Sequence, residues 1–343
     1  MSTNRIEQIA NAVLYEGYML YPYRPSAVKN RQRFNFGVLY PREHSESQLG
    51  NDLWQTQTEC LVSGSPSTEI GVKARFLHAI MRTTTAHNGA GSAMQLDESS
   101  AGQRWQQATE REFIVPNCSL KELLATPRTH AFTFPAKVET ETVRNKGGQI
   151  DAVNLRTQEA LTGKIEITGQ QVQESPSAIY KFTLVVSNTV TLCSTPENRE
   201  LLLQYSMIAT HSVLTVQHGE FISLLEPPAS LQQLTATCKN VGTWPVLVGE
   251  ESSRDTMLSS PIILYDYPQT APESPGDLFD GGEIDEILSL RIMTMTDEEK
   301  QEMRQSDERA RKILERTENL PEEQFMKLHG ALRGLRNPSG GLP

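Results

Sequence analysis

Up to residue 267, apolar and polar side chains alternate with a period of two in one stretch after another, the pattern of half-buried strands. It is clearest over 179–192. There Tyr180, Phe182, Leu184, Val186, Val190 and Leu192 share one parity, while Lys181, Thr183, Ser187, Thr189 and Thr191 take the other. One dry face and one wet face mark an antiparallel sheet. The same reading gives strands over 15–21, 33–40, 54–62, 111–115, 131–139 and 164–172, with an apolar strand over 70–81 and a last one over 262–267. SVLTV and FISLL flank Gln217, His218, Gly219 and Glu220, a predicted hairpin turn.

Helical periodicity is confined to fewer places. A short helix is expected over 4–12. STPENRELLLQYSM predicts another, with Ser194 or Thr195 as its cap and Pro196 in its first turn. After 267 the run PQTAPESPGD is a stiff, extended connector. Beyond it Ile284, Ile287, Leu288 and Ile292 form one stripe, Thr296 and Glu299 have the spacing of a capping box, and further short helices follow. The expected organisation is a mainly β domain, an antiparallel sandwich or barrel, over 1–267, with a mobile loop near 83–103. An acidic linker follows over 268–282, then an α-helical segment over 283–335.

Charge changes the picture at two places. Of the formal −10, residues 266–343 supply −7, with seventeen acids against ten bases, so the chain as a whole is not a basic nucleic-acid binder. The stretch 15–42 runs the other way. It holds seven of the nineteen Tyr and Phe residues, and from Arg24 to Arg42 it carries five bases and no acid. Tyr21, Tyr23, Arg24, Lys29, Asn30, Arg31 and Arg33 are therefore candidate partner-binding residues, through arginine's planar fork and the aromatic faces. Asp277, Asp280, Glu283, Asp285 and Glu286 are the acidic counterpart; the dipole of a helix start accounts for some of them without a partner. RNA binding through Tyr21, Tyr23, Phe34 and Phe36 is an alternative, but the parity of the 33–40 strand directs Phe34 and Phe36 into a core.

Candidate chemistry is sparse. The four cysteines lie at least forty-five residues apart, with no close metal-ligand spacing. Cys60 shares its parity with Trp54 and Val62, away from Glu59, as a small buried side chain would. His211 and His218 fall on opposite faces of a continuous strand, and the other histidines are isolated. GAGSAM lacks a phosphate-loop pattern, and no GxSxG or HExxH occurs. No cofactor or metal is expected. An enzyme would need a site assembled only in the fold, using His211 or a loop cysteine. The N-terminus does not read as a secretory signal and no apolar run is long enough to span a membrane, so a cytoplasmic protein is expected.

Three segments, YEGYMLYPYRPSAVKNRQRFNFGVLYP, TWPVLVG and SSPIILYDYPQTAPESPGDLFDGGEIDEILSLRIMTMTDEEK, together resemble a family of uncharacterised bacterial proteins encoded alongside nickel–iron uptake hydrogenases. The resemblance runs from about residue 12 to 330. It implies a non-catalytic accessory or scaffold role in hydrogenase biogenesis or assembly, with hydrogenase subunits or maturation factors as protein partners, and it brings no catalytic residues with it.

Overall fold

The computed structural model describes residues 2–15, 36–48, 52–86, 105–144, 148, 150–174, 177–193, 196, 198–269, 292, 295–306, 311, 314–315 and 317–319. The alternating pattern becomes a ten-stranded, wholly antiparallel sheet. Its organising strand is β1, Gln55–Ala86, which fuses the expected strands over 54–62 and 70–81 into one element of 32 residues. The others are β2 (Trp105–Ser119), β3 (Arg128–Phe134), β4 (Lys137–Arg144), β5 (Ile150–Gln158), β6 (Leu161–Gln173), β7 (Ile179–Asn188), β8 (Ile208–Ile222), β9 (Trp244–Leu247) and β10 (Thr256–Ser260). The main path is β3-β6-β7-β1-β8-β10-β9; β2 and β5 pair with other parts of β1, and β4 pairs with β5.

A strand this long serves several neighbours in turn. Its first half pairs with β7, from Gln55 opposite Ser187 to Ser63 opposite Ile179. Its second half pairs with β2 from Glu69 to Arg82, and its last residues, Met81 to Ala86, pair with β5. Pairing with β8 continues through both halves but skips between Gly64 and Glu69, where residues 65–68 of β1 stand against His218 alone. His218 takes φ 59° there, and its carbonyl accepts a 2.7 Å hydrogen bond from the Thr68 hydroxyl. The expected hairpin at 217–220 is thus a bulge within one strand. The hydroxyl partner and the extra residues of β1 let the ladder resume on the far side.

One face of β1 lines the main core. Cys60, Val62, Ile70, Val72, Ala74 and Phe76 pack there with Tyr180, Phe182, Leu184 and Val186 of β7 and with Ile165 and Ile167 of β6. β2 and β3 are not sheet neighbours, yet Phe113 and Phe132 have ring centroids 4.9 Å apart. Phe76 lies 5.9 Å from Phe132 and 5.8 Å from Phe134. The sheet therefore curls over its own core until β3 faces β1 and β2. Gly163 permits the approach: a Cβ on it would sit 2.3 Å from Cζ of Phe132 and 2.5 Å from Cε of Met207.

Helix α1 (Ser2–Tyr15) covers part of the opposite face. Its Ile9, Ala10 and Val13 pack on Val213, Val246, Val248 and Leu258. Tyr15 is the buried last residue of this helix, so no strand begins there. Nor do the described residues of 33–40 form a strand. Gly37 has φ 55°, Leu39 makes a single bridge to Met207, and Phe36 is 41% exposed while Val38, Leu39 and Tyr40 are all buried. The left-handed glycine breaks the extended run, so the parity that buried Phe36 does not hold.

Other boundaries shift for local reasons. The expected strand over 131–139 divides at Pro135 into β3 and β4. The helix after β7 is only Arg199–Leu203, capped by the Asn198 side chain accepting from the Leu201 amide. Residues 262–267 form no strand: bends at Ile262 and at Asp266 and Tyr267 flank an irregular stretch.

By Cα proximity the chain divides into two units: Met1–Tyr18 with Arg33–Gln269, and Met19–Gln32 with Thr270–Pro343. In the second, helix Asp297–Ser306 is described. Its start is a capping box: the Glu299 amide donates to the Thr296 hydroxyl, and the Thr296 amide donates to the Glu299 carboxylate at 2.7 Å. Among the described residues no helix is long and apolar enough to cross a membrane.

Candidate functional site

The partner-binding candidates Tyr21, Tyr23, Arg24, Lys29, Asn30, Arg31 and Arg33, and the acidic set Asp277, Asp280, Glu283, Asp285 and Glu286, lie outside the described residues. Most of the expected loop over 83–103 does too; its first residues, 83–86, extend β1. What the described residues bring together is two clusters of charge that strand parity assigns to opposite faces of β1.

The first cluster holds α1 in place. Arg75 pairs in register with His211 of β8 and Glu112 of β2, and its side chain is only 7% exposed. It donates to Asn11 at 2.8 Å and lies 3.3 Å from Glu7, 3.5 Å from Glu110 and 3.8 Å from Glu112. Lys73 reaches Glu7 at 3.0 Å, and the Tyr15 hydroxyl donates to Glu110 at 2.5 Å. A guanidinium so far from water needs this many acceptors, because burying it unpaired is costly. Removing it takes the shared cation from three carboxylates, but Lys73 stays within reach of Glu7 and Glu112, the Tyr15 hydroxyl stays on Glu110, and each carboxylate is some 40% open to water. Arg75→Met is therefore expected to cost about 2–3 kcal/mol, less than a fully buried pair would. Faster hydrogen exchange should appear first in α1, and unchanged exchange there would show that the helix is held by its apolar stripe alone.

His211 sits beneath the same helix. Its Nδ1 donates to the Ala209 carbonyl at 2.9 Å, and its Nε2 has no hydrogen-bond partner among the described residues. Burial holds its pKa down to about 4; the Ala209 carbonyl pulls upward, the nearby Arg75 downward and Glu7 upward again. The imidazole is neutral at physiological pH.

The second cluster lies at the end of the curled core, where β1, β2 and β5 meet. Register places Arg111 opposite Phe76 and Arg156 opposite Arg82, so all three arginines share the inward, even-numbered face of β1. One terminal nitrogen of Arg111 donates to Gln158 at 2.9 Å, and its guanidinium lies 4.6 Å from the centre of the Phe134 ring. Gln158 in turn donates to the His78 carbonyl. Arg156 meets Glu141 at 3.3 Å. The His78 ring is 0% exposed, and neither nitrogen completes a hydrogen bond of ordinary geometry, although the carbonyls of Glu159 and Gln204 lie close by. Burial, reinforced by Arg111, lowers its pKa to about 4, with those carbonyls opposing.

Burial raises the pKa of three of the four thiols, Cys60, Cys118 and Cys238. Cys60 is fully buried and its pKa is raised, mostly by burial, and Glu59 sits on the other parity as expected. Cys118 is buried in β2. Cys238 is pushed up to about 11 by burial, with Lys181 opposing and Glu59 adding to the rise. Cys193 is exposed. Nor is His44 isolated: its Nε2 lies 2.8 Å from Asp52.

Sequence reasoning did not find the arginine cluster, because its residues come from three separated strands, Arg82 borders the expected loop, and Arg156 falls between 139 and 164, where the sequence predicted no element. No three metal-ligating side chains converge among the described residues. No protein-family model matches the chain, and no curated protein matches it.

Proposed function

We propose that the chain is a non-catalytic accessory protein that holds a protein partner, and that the partner belongs to nickel–iron hydrogenase biogenesis or assembly, the setting its sequence resemblance implies. One observation on the surface supports the first half of this reading. Residues 262–265 alternate: Ile262 and Leu264 pack on the core beneath α1, while Ile263 and Tyr265 stand 90% and 84% exposed. Two large apolar side chains held outward by an anchored backbone form a surface suited to burial against another protein. The basic residues around Arg24–Arg33 and the acidic run from Asp277 are the charged surfaces this reading assigns to the same partner. The curl of the sheet, with its facing aromatic rings, supports a sandwich as the frame that carries them.

The test is capture from the native organism grown with and without hydrogen, read by mass spectrometry, with the wild-type chain and an Ile263→Ser/Tyr265→Ser variant. Hydrogenase subunits or maturation factors should copurify with the wild type and fall at least tenfold with the variant. The melting temperature should move little, since both side chains are already in water. Failure to recover any hydrogenase-related protein removes the proposed setting. Equal recovery by both chains removes this surface.

A further inference from the structure

We propose that Arg111, Arg156 and Gln158, at the meeting of β1, β2 and β5, form an oxyanion-binding site for a small molecule carrying a carboxylate or phosphate group. Arg111 is half-buried, and no carboxylate among the described residues reaches ion-pair distance of it. Burial alone accounts for the downward shift of its pKa, with no carboxylate opposing. Its Nε is shut off from solvent and has no hydrogen-bond partner, and the same holds for Nε of Arg156. An unsatisfied buried donor is costly, and each of the two calls for an acceptor; Gln158, which Arg111 touches, is two residues from Arg156 on the same face of β5.

The register adds a second strain. Arg156 stands directly opposite Arg82 across the β1–β5 ladder, and like charges in that position repel. Glu141 answers part of this at 3.3 Å from Arg156, but its own side chain is 56% exposed, so water weakens the pair. Glu139, bound by Lys137 at 2.5 Å, adds only a weaker attraction to Arg156. The fully buried, neutral ring of His78 lies beside Arg111 and offers no negative charge.

The geometry of recognition is already fixed. The Phe134 face and Gln158 hold Arg111 in one plane. A pre-oriented planar fork is what a carboxylate or phosphate needs for two parallel hydrogen bonds. Both arginines remain partly open to water, so a small anion can enter from solvent. The inference is independent of the partner proposed above.

Calorimetric titration of the full chain with inorganic phosphate and, separately, with succinate tests it, each against sodium chloride at equal ionic strength. Saturable binding is expected for at least one. Phosphate alone identifies a tetrahedral ligand, succinate alone a carboxylate, and both an unselective oxyanion site. Arg111→Lys keeps the charge and loses the fork, so it should weaken binding at least tenfold; Arg156→Gln should do the same. Heats equal to those of sodium chloride for both anions overturn the proposal. So does binding that neither substitution weakens. The wild-type titration decides even where a variant folds poorly.

Discussion

Acidification from pH 7 to pH 4.5 is expected to remove about 5 kcal/mol of folding stability through two histidines alone. His78 and His211 are buried, with pKa values held near 4 against 6.5 for an exposed imidazole. A base whose folded pKa is depressed binds its proton more readily in the unfolded chain. The penalty is absent above pH 6.5, grows as pH falls toward 4, and is constant below that. Near the middle of the window the unfolded state holds almost two more protons, a slope of about 2 kcal/mol per pH unit. Glu122, bound by the Ser119 amide and hydroxyl, and Glu139, bound by Lys137, have pKa values lowered below the usual carboxylate range, so what they contribute to stability is lost on acidification from that range downward.

Denaturant unfolding at pH 7.0, 5.5 and 4.5 measures the slope directly. His78→Leu replaces a ring whose nitrogens complete no hydrogen bond of ordinary geometry by an apolar side chain, and His211→Gln keeps a donor for the Ala209 carbonyl. Each should flatten the pH dependence by about half while changing stability at pH 7 by only about 1 kcal/mol. A slope that survives both substitutions would assign the acid sensitivity to carboxylates instead.

These two histidines also show what the alternating pattern conceals. Parity found the inward faces of β6 and β7 because their buried residues are apolar. It fails where a strand buries polar groups. In β5 the inward residues Asn154 and Gln158 are almost fully buried while Leu155 is 40% exposed. The strand is inverted with respect to hydropathy because it faces the arginine cluster, and nothing in IDAVNLRTQ taken alone announces that. Arg75 is legible as a strand residue but not as a buried one, since its partners come from α1, 64 to 68 positions away. β1 reads as two strands because residues 64–68, Gly-Ser-Pro-Ser-Thr, have the composition of a turn. The structure absorbs them as a bulge with Pro66 outward, where its missing amide costs nothing.

The ring cluster that closes the curl carries the largest single effect expected of a core substitution. Phe132 is 6% exposed and touches the rings of Phe76, Phe113 and Phe134. Phe132→Ala removes its transfer free energy and leaves a cavity between facing layers, at a cost of about 3–5 kcal/mol. Collapse cannot recover much of this, because Gly163 lies directly beneath the ring and has no side chain to fill the space. The consequence reaches the arginine cluster. Phe134 is the next inward residue of the same strand and supplies the face on which Arg111 rests, so loosening β3 should also loosen the guanidinium. A Gly163→Ala change in the Phe132→Ala background separates the two effects. It returns one methyl group to the vacated space and leaves only the flexible end of Met207 to give way, whereas in the wild-type background the same methyl group also clashes with the Phe132 ring. The double variant should therefore be more stable than Phe132→Ala, and Gly163→Ala alone less stable than wild type. Additive losses, measured by denaturant unfolding, would mean that the two positions do not share the cavity and that the curl is held elsewhere.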